Sequence, residues 1–205
     1  VVLSRGLGDV YKRQALNILQ RNYAGLVDQL DYAQLAPMGW LFVERAFYDL
    51  FGGLELTLRA PAVIAGIAAL LIFPFAARRY VTFTGLVIAV VFFALNNHLN
   101  RYSAEIKPYI LDTFFSVAIL WIGSHFFVEK KPIQPHHIAA LLLFGVVAIP
   151  LSFPVALLLG SLGGLLIVKN FLERRYTYVI ALIGISFVWL FEFGALYLIT
   201  RASQE

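Results

Sequence analysis

Long apolar stretches separated by short charged segments divide most of this chain. Each of the clearest stretches approaches the roughly 20 residues that an α-helix needs to cross a bilayer. The pattern predicts membrane-spanning helices at Arg59–Ala77, Phe83–Leu99, Pro108–Val128 and Tyr178–Ile199. We therefore expect an all-α fold, a polytopic transmembrane helix bundle.

A further apolar stretch, Ile138–Val168, is too long for a single helix across the membrane. Its about 31 nearly uncharged residues exceed one span at roughly 1.5 Å per residue, even with tilt. Pro150 and Pro154, with Ser152 between them, interrupt helix continuity near its middle. The sequence thus predicts two short helices here, and about six spans in all. Gly160 and Gly164 are a small-xxx-small pair, which predicts close helix packing.

The region before the first span has a different character. Pro37–Phe51 is amphipathic and carries Glu44, Arg45 and Asp49. Such a helix is typical of the membrane interface. We expect residues 15–58 to form an outer loop with this interfacial helix, and residues 59–200 to form the transmembrane helices.

Composition supports a membrane protein and excludes several other classes. Hydrophobic residues make up 60% of the chain and charged residues 14%, which is far from a soluble domain. The absence of cysteine excludes disulfides and thiolate metal sites. The net charge of +4 is spread over loops, so we expect no nucleic-acid partner.

Basic residues alternate between the loops and predict the orientation. Lys and Arg accumulate in cytoplasmic loops. With two helices in the Ile138–Val168 stretch, one side of the membrane receives Arg78, Arg79, Lys130, Lys131, Lys169, Arg174 and Arg175. The other side receives Arg101 and Lys107. We expect a multi-pass protein of the cytoplasmic membrane whose Arg101–Lys107 loop faces outward.

The first fourteen residues differ from everything that follows. Val1–Gln14 has no apolar period. The segment resembles a translated sequencing-adapter scar, so it is left out of fold reasoning. We expect the natural N-terminus to be missing.

The most informative polar segment is the run Arg101–Tyr109, followed one helical turn later by Asp112. A carboxylate at the edge of hydrocarbon costs several kcal/mol unless it is paired or hydrated, so such residues mark a site or a pathway. Glu105 and Asp112 are the candidate catalytic carboxylates.

Several segments together resemble polyprenyl-phosphate-dependent glycosyltransferases of the GT-C type. Relatives in that class are the protein O-mannosyltransferases, the aminoarabinose transferases of lipid A and the Rgt-like lipopolysaccharide glycosyltransferases. The segments that carry the resemblance are Ala15–Leu19, Leu30–Pro37, Leu58–Pro61, Arg101–Tyr109 and Leu151–Pro154. The resemblance implies transfer of a sugar from a polyprenyl-phosphate donor to a glycan, lipid or protein acceptor at the outer face of the membrane.

The resemblance also implies roles for individual residues. Glu105 matches an acidic position that binds a divalent cation or substrate, and Lys107 would bind the donor phosphate. Further substrate-binding candidates are Arg101, Tyr102, Tyr109 and Asp31. In this family the general base lies just before the segment matched by Ala15–Leu19, where this chain has the scar-like residues 11–14. We expect the family base to be absent.

Each of these interpretations has an alternative. Glu105 and Lys107 could form an interfacial ion pair with no role in catalysis. Asp112 could simply pair with a basic neighbour. The whole protein could be a transporter or flippase for lipid-linked sugars, or an assembly subunit. Transporters commonly have broken helices near the midplane and internal repeats, whereas here polar residues gather at one face, which favours the transferase.

Overall fold

A computed structural model describes residues 17–28, 30, 36–52 and 55–202. All regular secondary structure in these residues is α-helical, which confirms the predicted fold class. After a helical turn at 17–20, the helices are α1 (Met38–Phe51), α2 (Glu55–Ala77), α3 (Phe83–Ala94), α4 (Asn97–Ala104), α5 (Tyr109–Phe127), α6 (Pro135–Leu151), α7 (Pro154–Leu172) and α8 (Tyr176–Ala202).

Four of these helices, α2, α5, α7 and α8, are long and apolar enough to cross a membrane. The bent pair of α3 and α4 would make a fifth span in the described part of the chain. The sixth predicted span corresponds to α6, an apolar helix of 17 residues that is shorter than the others. The protein is therefore a multi-span membrane protein, and the count of six stays a prediction.

The predicted span Phe83–Leu99 contains a helix break after Ala94, where the two parts bend by 47°. That the bent pair forms one span stays a prediction. The side chain of Asn96 accepts hydrogen bonds from the N–H groups two and three residues later, at 3.0 and 3.1 Å, and so starts a new helix. Asn100 donates its side-chain amide to the carbonyl of Ala94 at 3.2 Å. Two asparagines thus satisfy backbone groups that the break exposes.

The predicted break between Pro150 and Pro154 is confirmed. Helix α6 ends at Leu151 and α7 begins at Pro154, with Ser152 fully buried between them. Helix α1 packs against this break. A Cβ on Gly39 would lie only 2.8 Å from the carbonyl oxygen of Pro150, so only glycine permits this approach.

Helix α1 closely matches the predicted helix Pro37–Phe51, and it ends at Gly52 with φ of 85°. This left-handed conformation favours glycine, and the Gly52 N–H donates to the carbonyl of Tyr48 at 2.9 Å. The next helix begins at Glu55, four residues before the predicted start at Arg59, and the two side chains form an ion pair at 2.5 Å. The location of α1 at the membrane interface stays a prediction.

Close packing uses glycines other than the predicted pair. Gly160 and Gly164 face open space, so their predicted packing role is wrong. Gly145 of α6 instead faces the indole of Trp189 on α8, and no Cβ would fit there. Gly163 lies against Ser186 of α8. In α6 and α7, the glycines in close contact are therefore those that meet α8.

The helices enclose two apolar clusters. The first joins α1, α2 and the start of α5 through the buried residues Ile18, Leu26, Ala36, Trp40, Leu41, Leu58, Ala62, Ala65 and Ile110. The second joins α5, α6, α7 and α8, with Phe115, Leu159, Leu182 and Trp189 among its buried members. Many apolar side chains outside these clusters remain exposed, as expected for helices that face lipid.

The predicted basic loops meet at one end of the bundle, which we call the basic end and define by residues 78–82, 125–134 and 169–175. Cations from two of these loops cap carbonyls near the end of α5. The contacts are Arg79 to Trp121 at 3.0 Å, Lys169 to Phe126 at 2.5 Å and Arg175 to Ile133 at 2.7 Å. The opposite end of α5, with residues 101–112 and Ser152, is called the link end.

Candidate functional site

The candidate site is built on the short link between α4 and α5. Helix α4 begins at the Asn96 cap and ends at Ala104, and Glu105 is its C-terminal cap residue. Pro108 has φ of −73° and precedes the first residue of α5, a position that suits proline because its missing N–H is not needed there. The link therefore holds Glu105, Ile106 and Lys107 at the start of a membrane span.

Glu105 is paired with Arg101, one helical turn earlier. The Nε of Arg101 donates to Oε1 of Glu105 at 2.7 Å. Only 14% of the Glu105 side chain is exposed, against 64% for Arg101. The carboxylate of Glu105 is thus mostly shielded from the surroundings, whereas its partner arginine is open to them. The alternative pairing with Lys107 is not the one observed.

Lys107 lies beside an aromatic pair. Its Nζ is 5.2 Å from the ring centroid of Tyr109, within cation–π range. The rings of Tyr102 and Tyr109 meet edge to face at 5.3 Å. Three of the five predicted substrate-binding residues are thus in one group, with Tyr109 partly open to the surroundings at 43% exposure.

Asp112 lies in the first turn of α5 and reaches across to the break between α6 and α7. The Oγ of Ser152 donates to Oδ1 of Asp112 at 2.5 Å. Within residues 17–28, 30, 36–52 and 55–202, no cation forms an ion pair with Asp112. The alternative in which Asp112 pairs with a basic neighbour is therefore not observed, and a neutral hydroxyl is its partner.

Glu44 of α1 is a buried acid whose burial was not predicted from the sequence. Its side chain is fully buried, and neither carboxylate oxygen has a hydrogen-bond partner among the described residues. Burial raises the pKa of Glu44 to about 9. The sequence does contain the signal, since Trp40, Leu41 and Tyr48 lie three or four positions away on the same helix face.

A small cavity of about 180 Å³ lies beside the link end, between α2 and the bent pair. Asn100 and Ser103 of α4 supply its polar groups, while its other walls are apolar. Gly66 of α2 faces the Ser103 hydroxyl so closely that no Cβ would fit. This cavity therefore extends from the end of α3, next to the break, along α4, the helix that carries Arg101.

Other predicted site features are more limited. Asp31 lies outside the described residues, as do residues 1–16. In the part of the chain that the structure describes, no group of three or more His, Cys, Asp and Glu side chains could hold a metal ion. A divalent cation at Glu105 stays a prediction.

Comparison with known proteins does not identify a family. The chain matches no protein-family model, no curated protein and no solved structure at a significant level. The fold class and the candidate spans are therefore read from the chain itself.

Proposed function

We propose that this chain belongs to a membrane glycosyltransferase that moves a sugar from a polyprenyl-phosphate donor to a glycan, lipid or protein hydroxyl. The observation that carries the proposal is the link end. It places two carboxylates, Glu105 and Asp112, and two cations, Arg101 and Lys107, around the start of one apolar span. The likeness of the Arg101–Tyr109 run to GT-C enzymes adds the reaction type.

The reaction has two chemical requirements that these residues fit. An acceptor oxygen must lose its proton as it attacks the anomeric carbon, which calls for a carboxylate base. Because the base of the resembled family is expected to be absent, we assign this role to Asp112, whose carboxylate has one described side-chain partner, the neutral hydroxyl of Ser152. The leaving phosphate needs positive charge. Lys107 and the N-terminal turn of α5 provide it at the same place.

The proposal includes six spans, with α6 as the shortest, in the cytoplasmic membrane and with the link end outward. The support for this orientation is that the basic loops lie together at the opposite end of the bundle. Basic loops are typical of the cytoplasmic side. A single cysteine introduced at Asn100 should react with an impermeant thiol reagent in intact cells. A cysteine at Gln134 should react only after the cells are opened, and the reverse result would overturn this orientation.

Transfer assays test the proposed chemistry. Membranes that contain the protein should transfer sugar from a polyprenyl-phosphate hexose to endogenous acceptors. Glu105→Gln keeps the size of the side chain but weakens its pairing with Arg101, so turnover should fall. Lys107→Ala should raise the KM for the donor more than the KM for the acceptor. Glu173→Gln, at the basic end, is the matched control and should change neither.

The outcome against the proposal is equally specific. If Glu105→Gln, Lys107→Ala and Asp112→Asn all retain the turnover and donor KM of the parent protein, the link end is structural. Folded protein must be measured for each variant, because a loss of protein would imitate a loss of turnover.

One structural observation favours a second candidate, a transporter of lipid-linked sugars. Helices α3 and α4 form a span broken at Asn96 and bent by 47°, and broken helices are common in transporters. Reconstitution separates the two functions. A transporter would move a fluorescent polyprenyl-phosphate sugar across a vesicle membrane without an acceptor, whereas a transferase would consume it only when an acceptor is present.

A further inference from the structure

A second cavity lies near the basic end, far from the proposed catalytic residues. It has a volume of about 390 Å³, within the range of small-molecule sites. Its walls come from α5 and α6, with Arg79 from the loop after α2. Asp112 and His125 lie thirteen residues apart on α5, or roughly 20 Å along the helix axis.

The cavity exists because α5 and α6 diverge although they are consecutive in the chain. Helix α5 packs on α2 and α7, whereas α6 packs on α8, α7 and α1. Long aromatic side chains bridge the gap, as in the edge-to-face contact of Phe115 with Phe144 at 5.8 Å. Trp121 lines the cavity and is 39% exposed, so the cavity reaches the lipid-facing surface.

The polar part of this cavity is a nearly buried guanidinium group. Arg79 is held by the carbonyl of Trp121, by Ser124 Oγ at 2.6 Å, and by Glu129 at 2.7 Å. These contacts use its two terminal nitrogens. Its Nε is buried and has no hydrogen-bond partner among the described residues. The guanidinium group therefore brings a fixed positive charge to the wall of the cavity.

Two imidazoles lie beside this arginine. His125 contacts Glu129 through Nδ1 at 3.1 Å, and His137 accepts the backbone N–H of Gln134 on Nδ1 at 3.1 Å. Their rings are 5.4 Å apart, and both line the cavity. Each ring has Nε2 as its remaining polar atom, which can donate to an oxygen anion in the appropriate tautomer.

The surrounding charge is positive although Glu129 is present. Glu129 is shared by Arg79, His125 and Lys131. The other charged residues of the basic end are Arg78, Lys130, Lys169, Glu173, Arg174 and Arg175. An anion at this end is therefore favoured, and an apolar crevice with a cationic rim complements an amphiphile with an anionic head.

We propose that this cavity binds an anionic phospholipid of the bilayer. One acyl chain occupies the space between α5 and α6, against Trp121, Phe144 and Leu141. The headgroup phosphate accepts hydrogen bonds from Arg79 and the neighbouring imidazoles. This lipid would fill the gap between two diverging helices and is independent of the donor bound at the link end.

Adjacent arginines provide a matched test of the headgroup contact. The purified full chain is reconstituted with a mixture of phosphatidylglycerol and phosphatidylcholine, and the retained lipid is counted by native mass spectrometry. Arg79→Gln should reduce retention of phosphatidylglycerol by about tenfold or more, the value of a charge-assisted hydrogen bond. Arg78→Gln removes the same charge from an exposed side chain that does not line the cavity, and should change retention by less than about twofold.

Adjacent alanines test the acyl-chain site without touching the charges. Ala140 lines the cavity and Ala139 does not, and both are exposed on α6. Ala140→Phe should displace the lipid, whereas Ala139→Phe should leave it bound. This pair decides the question even if Arg79→Gln fails to fold.

Two results would overturn the proposal. Equal retention of the two lipids in the parent protein would mean that the cavity does not select a lipid of net negative charge. A rise in the thermal unfolding midpoint with inorganic phosphate alone, equal to that with phosphatidylglycerol vesicles and unaffected by Ala140→Phe, would assign the site to free phosphate.

Discussion

The two ends of helix α5 use charge in opposite ways. At the basic end, Arg79 joins Glu129 and the end of α5, while Lys169 and Arg175 cap carbonyls of the α5–α6 region. At the link end, the carboxylate of Asp112 bonds only to Ser152 among the described side chains. One end is densely cross-linked by cations, and the other presents acids with few partners.

This difference separates a scaffold from a candidate site. A cation bound to several carbonyls is fixed, and removing it leaves buried acceptors without partners, which costs stability. An acid with a single neutral partner is costly to keep beside hydrocarbon and contributes little to the fold. Stability alone therefore does not explain the acids of the link end, and a function is the more plausible reason for them.

The largest expected effect comes from neutralising one acid at each end. Asp112→Asn keeps the shape of the side chain but removes the base, so turnover in the transfer assay should fall by about 10²- to 10⁴-fold. Glu129→Gln should leave turnover within about twofold, because its partners belong to the scaffold. If Glu129→Gln lowers turnover as much as Asp112→Asn does, the division between the two ends is wrong.

For stability, we expect a larger effect at the basic end than at the link end, as two lysines can show. Lys169→Met keeps the aliphatic stem but leaves the Phe126 carbonyl without its cation, and the free energy of unfolding should fall by about 1–3 kcal/mol. Lys107→Met should cost less than about 1 kcal/mol. Thermal unfolding in detergent measures both variants, and equal losses would show that the link end is also scaffold.

The buried acid Glu44 should make stability depend on pH. The pKa of Glu44 rises from its usual 4.5 to about 9 on folding, so the unfolded chain releases this proton at lower pH than the folded chain does. Stability should therefore decrease as pH rises between these values, by on the order of 1 kcal/mol per pH unit.

The control for this prediction is Glu44→Gln, which keeps the size of the side chain and cannot ionise. The difference in unfolding midpoint between about pH 6 and about pH 8 should become smaller in this variant. An unchanged difference would mean that Glu44 has an unperturbed pKa and a hydrated environment.

The smallest expected effect is on the Arg101–Glu105 pair. Because 64% of the Arg101 side chain is exposed, solvent screens the interaction, and Arg101→Gln should change the free energy of unfolding by less than about 1 kcal/mol. The same variant should lower turnover if the pair serves the donor. A loss of stability without a loss of turnover would assign the pair to the scaffold.

Features set by local composition were predictable from the sequence. The helical class, the break at Pro150–Pro154 and the meeting of the basic loops follow from apolar length, proline chemistry and charge alternation. Each depends on residues close together in the chain, so the pattern carries the information directly.

Features that depend on partners distant in the chain were not predictable. The bond between Asp112 and Ser152 joins positions 40 residues apart. Gly145 packs against Trp189 on another helix, while Gly160, which has the small-xxx-small spacing, faces open space among the described residues. The break at Asn96 was missed for a different reason. Two adjacent asparagines within an apolar stretch do not reveal whether their side chains will cap a helix or face water.

The bend at Asn96 has a consequence for the bilayer itself. Helix α3 has 12 residues and covers about 18 Å, well short of the roughly 30 Å hydrocarbon thickness. A hydrophobic segment this short is matched by local thinning of the membrane. A thinned leaflet beside α3 and α4 would bring lipid headgroups closer to the first turn of α5, and under the proposed function this deformation would help to deliver the donor phosphate.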